Sequence, residues 1–222
     1  MKEEEIQDEL VSIRKLMERS SKFISLSGLS GILAGVYALI GAGFAYYFIY
    51  VSVPDYYTVV EKYPTKAPFY GEHGVYYYLA LIYNLNQILL VALLVLVASI
   101  VTGYILTSRK AKKKNQPIWG KTSRAMLFHL ATPLITGGIL ILIFISRGYF
   151  GIIAHSMLVF YGLALISAGN FTFNYIKYLG MCEIVLGLIA ACLPGYGLLF
   201  WAIGFGLLHI IYGSMVYIKY DR

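Results

Sequence analysis

The sequence predicts an all-α integral membrane protein, a bundle of six transmembrane helices with a short amphipathic helix in front of it. Hydrophobic residues make up 59% of the chain and charged residues only 13%, whereas a soluble domain carries about 25% charged residues. The apolar residues are gathered in six blocks, most of them near the length of about 20 residues that crosses a bilayer as a helix. No block alternates strictly between apolar and polar residues, so the blocks predict helices rather than barrel strands.

The six spans are expected within one membrane domain at residues 22–222. The second block is longer than an untilted span needs, so we expect it to tilt or to begin above the membrane surface. The links after the third, fourth and fifth blocks are short, which forces the spans that they join to run antiparallel. The spans are predicted at about residues 23–51, 76–107, 123–146, 150–168, 178–193 and 198–218.

The distribution of Lys and Arg predicts the orientation of the spans. With the N-terminus placed inside, all of the 18 basic residues except Lys62, Lys66 and Arg147 fall in inner segments. Such a bias is the positive-inside pattern of membrane proteins, so we expect both termini in the cytoplasm and the chain in a cytoplasmic-type membrane. Since topology accounts for the net charge of +7, nucleic acid is not expected as a partner.

Residues 1–21 predict an amphipathic helix on the cytoplasmic side of the membrane. Its apolar residues Ile6, Leu10, Ile13 and Met17 are spaced four, three and four apart, which places them on one helical face. Acidic residues begin the segment and basic residues end it, an order that complements the helix dipole. This helix would lie on the membrane surface or form a short coiled coil with a second copy or a partner, and the first span follows as an uncleaved signal anchor.

A row of small residues marks one face of the first span. Gly28, Gly31, Gly35, Ala38 and Ala42 recur at intervals of three and four, the spacing of a single helical face. Helices in lipid associate through close contact between such small residues. We therefore expect a neighbouring helix on this face, and the same row would serve a homo-oligomer or another membrane protein.

Two titratable residues are expected to meet between the last two spans. Glu183 is the only acidic residue in any predicted span, and both Glu183 and His209 lie within rows of small residues. Small residues mark helix contacts in lipid, so the two rows are expected to face each other across the hairpin. Glu183 lies thirteen residues before Tyr196 and His209 thirteen residues after it, which puts both at one depth if the hairpin turns there.

This pair predicts a buried polar site. A charged group alone in hydrocarbon costs at least about 2.5–3.5 kcal/mol, so we expect the carboxyl and the imidazole to hydrogen bond, either as an ion pair or as a neutral pair that shares one proton. A structural clasp between helices fits this pattern. A site that binds a proton or a ligand fits it as well, because ionisable residues inside membranes are often functional.

Three further polar residues, His129, Thr132 and Tyr212, are candidates for the same inner cluster. Counted from the nearest basic residues, His129 and Glu183 have similar predicted depths of about 7–9 Å. The third span would have to pack beside the last hairpin to bring them together. A metal site would need three or four converging ligands, and no metal is predicted.

Polar residues in the outer half of the membrane form a second candidate group, Asn84, Gln87 and His155. Asn84 and Gln87 are three residues apart in the second block, a spacing that puts them on one helical face. They are expected to bond to a neighbouring helix or to line a water-filled vestibule. His155 is expected on a glycine-containing face of the fourth span, as a packing residue.

The link after the second span is strongly basic. A run of Lys and Arg beside a membrane attracts anionic headgroups with about 1 kcal/mol per residue, and a tryptophan in such a link is expected at the level of the headgroups. We expect these residues to contact the inner lipid surface, or an acidic partner in its place. They are Arg109, Lys110, Lys112, Lys113, Lys114 and Trp119.

The functional prediction rests on short loops and on the motifs that the sequence lacks. It contains no HExxH, GxSxG or P-loop pattern, the motifs of metalloprotease, hydrolase and nucleotide chemistry. The leading hypothesis is a non-enzymatic, membrane-embedded binding, sensing or scaffold protein with no predicted cofactor. The alternative is a small proton-coupled permease that uses Glu183 and His209, and a third hypothesis is an intramembrane enzyme that acts on a lipid-like substrate.

Overall fold

The computed structural model describes residues 26–52, 82–113 and 117–221, and every regular element in these ranges is a helix. Six helices are long and apolar enough to cross a membrane, so the prediction of an all-helical fold with six membrane-length helices is confirmed. The amphipathic helix predicted at residues 1–21 lies outside the described residues. The six helices are α1 (Gly28–Val51), α2 (Leu85–Lys113), α3 (Lys121–Ser146), α4 (Phe150–Ala168), α5 (Asn174–Cys192) and α6 (Gly197–Asp221).

Several helices extend beyond the apolar blocks that predict them. Helix α2 continues to Lys113 and α6 to Asp221, while α5 already begins at Asn174. The backbone hydrogen bonds of a helix do not require apolar side chains, so a helix continues into the polar residues that flank an apolar block. In α2 the last turn carries Lys110, Lys112 and Lys113, whose charges are favourable at the negative end of the helix dipole.

The helices pack in two groups that meet at α6. Helix α4 lies between α3 and α5, and α1 lies between α2 and α6. The first turns of α6 also contact α4 and α5, so α6 belongs to both groups. The region where α4, α5 and α6 come together is therefore enclosed by helices from three sides.

The row of small residues on α1 packs against α6. A Cβ atom added to Gly35 would lie 2.6 Å from the carbonyl oxygen of Gly206, and one added to Gly31 would lie 3.1 Å from the Cα of Gly213. Backbones come this close only where side chains are absent. The row faces another helix, but this helix is α6 of the same chain, so the part of the row that α6 covers is not open to a second copy.

The small-residue row of α5 faces α4, and the expectation that it faces α6 is wrong. A Cβ on Gly162 of α4 would lie 2.6 Å from the carbonyl oxygen of Gly180, and one on Gly180 would lie 2.7 Å from that of Gly162. Gly187, two turns further along the row, faces the carbonyl of His155 on the same helix α4. A row of small residues predicts a close contact with another helix. It does not predict which helix, because it can pack against any other row of small residues.

Helix α6 is not a regular α-helix. It is π-helical over Ala202–Leu208 and again over Tyr217–Asp221, with α-helical turns before and between these segments. A π-helical turn is wider than an α-helical one because its hydrogen bonds reach five residues back, and such turns occur frequently at functional sites. The first π-helical segment ends directly before His209 and so sets the position of this side chain.

Candidate functional site

The carboxyl group of Glu183 lies in the region enclosed by α4, α5 and α6. Glu183 is 0% exposed, although it carries the only carboxyl group in the predicted spans. Its carboxyl fills the space that Gly204 of α6 leaves open, since a Cβ on that glycine would lie 2.5 Å from Oε2. Neither carboxyl oxygen has a hydrogen-bond partner. A wholly buried carboxyl group therefore lacks any donor.

His209 lies next to this carboxyl and is 6% exposed. Its Nδ1 is 3.5 Å from Oε1 of Glu183, so the structure brings the two sequence-predicted residues together. The same Nδ1 is 3.0 Å from the carbonyl oxygen of Gly204. On the other side of the ring, Nε2 is 2.7 Å from the hydroxyl of Tyr161 on α4.

These contacts determine which nitrogen of His209 carries a proton. A carbonyl oxygen only accepts hydrogen bonds, so Nδ1 must donate to Gly204. In a neutral imidazole the other nitrogen is then an acceptor, and the hydroxyl of Tyr161 donates to Nε2. Both ring nitrogens are satisfied without Glu183, and the imidazole needs no positive charge to make these two bonds.

The chemistry of the site follows from the difference between His209, whose two nitrogens are hydrogen-bonded, and Glu183, whose carboxyl group has no donor. A buried polar group without a partner loses its hydration and gains nothing in return, and for an ionised carboxylate the penalty is several kcal/mol. Two changes offset that cost at Glu183: a proton on the carboxyl group, or a positively charged group beside it. The arrangement is therefore suited to binding a proton or a cation.

Aromatic rings on α6 form a column that leads to His209. Trp201, Phe205 and His209 are spaced four residues apart, with ring centroids 5.1 Å apart for the first pair and 6.0 Å for the second. Tyr161 packs beside the column, 4.9 Å from Phe205 and 5.3 Å from His209. Trp201, Phe205 and Tyr161 are all half-buried. The column, defined by these four side chains, thus connects the beginning of α6 with the carboxyl of Glu183.

The structure does not gather His129 and Thr132 around Glu183. The Nδ1 of His129 is 3.2 Å from the hydroxyl of Ser167 on α4, and the ring stacks on Phe171. The hydroxyl of Thr132 donates to the carbonyl of Phe128 within its own helix. Helix α3 packs mainly on α4. In the described ranges no three His, Cys, Asp or Glu side chains converge as metal ligands.

Tyr212 belongs to the apolar core. Its ring packs, together with that of Tyr161, against a buried cluster formed by Leu165, Ile176 and Leu179. It also touches α1, because a Cβ on Gly31 would lie 3.5 Å from its ring. The contacts of Tyr212 are thus those of a residue that joins α1 and α6 to the core.

The outer polar residues have separate environments. The side chain of Asn84 is buried and donates to the carbonyl oxygen of Phe48 at 2.7 Å, so it bonds to a neighbouring helix. Gln87 is exposed. The N–H of Ile88 donates to the carbonyl oxygen of Asn84 at 3.0 Å, so Asn84 lies at the start of the helix, and the shared face with Gln87 stays a prediction. His155 is half-buried on α4.

At the end of α2, Lys110 points into the protein. Its ammonium group forms an ion pair with Asp221 and donates to the carbonyl of Leu26. Asp221 in turn accepts from the backbone N–H of Gly28 at 2.8 Å and from the hydroxyl of Ser27 at 3.2 Å. We call Ser27, Gly28, Lys110 and Asp221 the end clasp, because it joins the start of α1 to the ends of α2 and α6.

The end clasp changes the expectation for the basic run. The side chain of Lys110 is 11% exposed, so its charge is used inside the protein and not at a lipid headgroup. Arg109, Lys112, Lys113 and Trp119 are exposed, and Lys114 lies outside the described residues. The sequence offered one hint of the clasp: Asp221 is an acidic residue three positions after the end of the last apolar block.

Tyr161, the hydrogen-bond partner of His209, is a side chain of the candidate site that sequence reasoning missed. The chain has 21 tyrosines, and none of their spacings distinguishes this one. No protein-family model, curated protein or solved structure matches the chain. Its function is therefore inferred from the geometry around Glu183.

Proposed function

We propose that this protein is a small proton-coupled membrane carrier in which Glu183 binds the coupling proton. One observation carries the proposal: the carboxyl group of Glu183 is completely buried and has no hydrogen-bond donor. Ionisable residues inside a membrane are costly and commonly belong to proton relays or substrate pathways. A carboxyl that alternates between a bound proton and another partner fits that description.

A purely structural role is less well supported by the same geometry. In a structural clasp the imidazole would donate to the carboxylate, and each group would satisfy the other. Here His209 donates to Gly204 and accepts from Tyr161. Glu183 therefore contributes no hydrogen bond to packing, while its burial still costs free energy.

His209 has the position of a relay for this proton. Its Nδ1 is 3.5 Å from Oε1 of Glu183, so a small rotation would redirect the N–H donor from the carbonyl oxygen of Gly204 to the carboxylate. Such a shift stabilises Glu183 in its ionised form. His209 directly follows a π-helical segment, a kind of turn that is frequent at functional sites.

The orientation belongs to the proposal as well. The end clasp joins the start of α1 to the ends of α2 and α6, which requires these three helix ends to lie on one side of the membrane. The exposed basic residues at the end of α2 lie on that side. By the positive-inside pattern this is the cytoplasmic side of a cytoplasmic-type membrane, with both ends of the chain inside.

Two measurements test the carrier. Infrared difference spectra of the protein in lipid, recorded over a pH series, are expected to contain the carbonyl band of one protonated buried carboxyl, and Glu183→Gln is expected to remove it. In inside-out vesicles that have accumulated protons, one class among added amines, carboxylates, sugars and amino acids is expected to release protons. That release should require Glu183, whereas Lys113→Gln, a change at an exposed residue, should leave it intact.

The proposal is overturned if the infrared band persists in Glu183→Gln, or if every solute releases protons equally from wild-type and Glu183→Gln vesicles. A folded state of the variant is checked by a single symmetrical peak in gel filtration. Glu183→Asp serves as a second variant, since it keeps the acid and shortens its reach. It should retain a titrating band and a reduced release.

A binding or scaffold function remains a second candidate. It is favoured by α2, in which none of the residues in an 18-residue apolar window is buried. Because lipid can cover such an apolar face as well as a partner protein can, the exposed face of α2 supports a scaffold function less strongly than the buried carboxyl of Glu183 supports a carrier. Deleting residues 1–21 should change the partners or the oligomer size of the protein isolated from its native membrane if the scaffold function holds.

A further inference from the structure

We infer that the substrate of the carrier is a lipophilic organic monocation, which binds at Glu183 in exchange for the proton. This inference rests on the proposed function and adds the chemical class of the substrate. It follows from three features of the site. No positively charged group lies beside the carboxyl of Glu183, an aromatic column leads toward it, and a glycine faces it.

The first feature is the missing positive charge. Among the residues that the structure describes, the titratable groups beside Glu183 are Tyr161 from α4 and His209 from α6. The hydrogen bonds of His209 are those of a neutral imidazole, so neither group brings a positive charge. The carboxylate of Glu183 would repel an anionic ligand, and a neutral ligand would leave the negative charge of the carboxylate unbalanced. A cation alone balances the site once the proton has left.

The second feature is the aromatic column. The face of an aromatic ring attracts a cation, most strongly for tryptophan, and quaternary ammonium ligands are recognised in this way. A metal ion would instead need several oxygen ligands, and the described residues contain no group of three His, Cys, Asp or Glu side chains. Rings and one carboxylate suit a cation that carries alkyl or aryl groups.

The column also provides a path. Trp201 lies near the beginning of α6, eight positions before His209, and the ring of Phe205 lies between them, 5.1 Å from that of Trp201 and 6.0 Å from that of His209. Phe205 is half-buried, whereas Glu183 is wholly buried. A cation that is attracted to Trp201 therefore has Phe205 as the next ring in the direction of the carboxylate.

The third feature is Gly204, the residue of α6 whose backbone lies against the carboxyl group of Glu183. A Cβ at this position would lie 2.5 Å from Oε2, so the contact is a backbone against a carboxyl. Gly204 belongs to the π-helical segment Ala202–Leu208, a kind of turn that is frequent at functional sites. Movement of this segment away from α5 exposes Oε2 to the column and makes room for the ligand.

Proton and cation compete for one carboxylate, which sets the coupling. When the cation forms an ion pair with Glu183, the O–H bond of the carboxyl breaks and its proton passes to water on the side to which the site is open. The site is neutral with either occupant. One proton is therefore exchanged for one monocation, and the exchange moves no net charge across the membrane.

The experiment uses the full chain in lipid nanodiscs and tetraphenylphosphonium as the probe. Calorimetry in buffers of different protonation enthalpy, at a pH where the infrared band shows Glu183 protonated, is expected to give one proton released per cation bound. Glu183→Gln should weaken binding about a hundredfold or more, because it removes one partner of a buried charge pair. Tetraphenylborate, an anion of the same shape, should not compete.

A matched pair of variants tests the column. Phe205→Ala is expected to weaken binding of the probe by up to about tenfold, the size of one cation–π contact. Phe128→Ala removes the same side chain from α3, where it is 69% exposed, and should leave binding unchanged. Equal effects of the two variants, or equal binding of cation and anion, would overturn the inference.

The experiments distinguish an error in the substrate class from an error in the proposed carrier function. If tetraphenylphosphonium binds wild type and Glu183→Gln equally, while the infrared band of Glu183 and a Glu183-dependent proton release by another solute remain, only the substrate class is wrong. If the infrared band does not depend on Glu183, the carrier is wrong and the substrate class falls with it.

Discussion

His209 lies beside Glu183 without sharing a hydrogen bond with it. Its Nδ1 is 3.5 Å from Oε1 of Glu183 but 3.0 Å from the carbonyl oxygen of Gly204, five residues earlier on the same helix. The glutamate is thus the one member of this group that packing does not satisfy.

Glu183→Met should leave the stability of the fold unchanged or raise it. The methionine has a similar volume and removes a buried carboxyl that makes no hydrogen bond, and replacing buried polar groups in this way is often neutral or stabilising by about 1–4 kcal/mol. The free energy of unfolding is measured by titration with sodium dodecyl sulfate in mixed micelles. A loss of more than about 2 kcal/mol would mean that the carboxyl is a structural element.

Tyr161→Phe should destabilise the protein, because Nε2 of His209 then loses its donor inside the core. An unsatisfied buried acceptor costs about 1–3 kcal/mol. Tyr149→Phe, at an exposed tyrosine, is the control and should have no effect. Nitrogen NMR of labelled histidine should identify the Nδ1–H form of His209 in the wild type, and the Nε2–H form there would contradict the hydrogen bonds described.

Asp221→Asn should be among the most damaging single substitutions at the end clasp. It leaves the nearly buried ammonium of Lys110 without its carboxylate, and breaking a buried ion pair costs about 3 kcal/mol or more. It also weakens the cap on the backbone N–H of Gly28. The exposed Lys113→Gln is the matched control, with unchanged unfolding in the same micelles.

A charge exchange refines this prediction. In the double variant Lys110→Asp with Asp221→Lys the ion pair is restored, but a lysine side chain has no acceptor for the N–H of Gly28. Rescue of stability should therefore be partial. Complete rescue would indicate that the clasp acts through its charges alone and that capping of α1 contributes nothing.

Gly35→Ala should separate α1 from α6. Its new Cβ would lie 2.6 Å from the carbonyl oxygen of Gly206, while the same change at Gly43 meets nothing within 4 Å. Overpacking of a close contact costs about 1–3 kcal/mol, so Gly35→Ala should unfold at a lower detergent fraction and Gly43→Ala should match the wild type. Similar stability of both variants would mean that the two backbones do not meet as described.

The comparison of small-residue rows shows how far the sequence predicts the packing. Spacings of three and four correctly identify the close-contact faces of α1, α5 and α6. They do not identify the partners, since the α5 row meets Gly162 of α4 and the α1 row meets Gly206 and Gly213 of α6. Any two rows of small residues are complementary, so the pairing depends on the arrangement of all six helices.

Sequence alone determined the number of membrane-length helices, because apolar length and composition are local properties. It also determined that Glu183 and His209 approach each other, because positions at equal distance from a turn share a depth in antiparallel helices. Only the tertiary structure decided that Tyr161 and Gly204 satisfy His209, that Glu183 is left without a donor, and that Lys110 meets Asp221. The Tyr161–His209 and Lys110–Asp221 contacts join residues on different helices that lie far apart in the chain, and periodicity along one helix contains no information about a neighbour that comes from elsewhere. The Gly204–His209 bond lies within one helix but belongs to its π-helical segment, which the apolar pattern does not reveal.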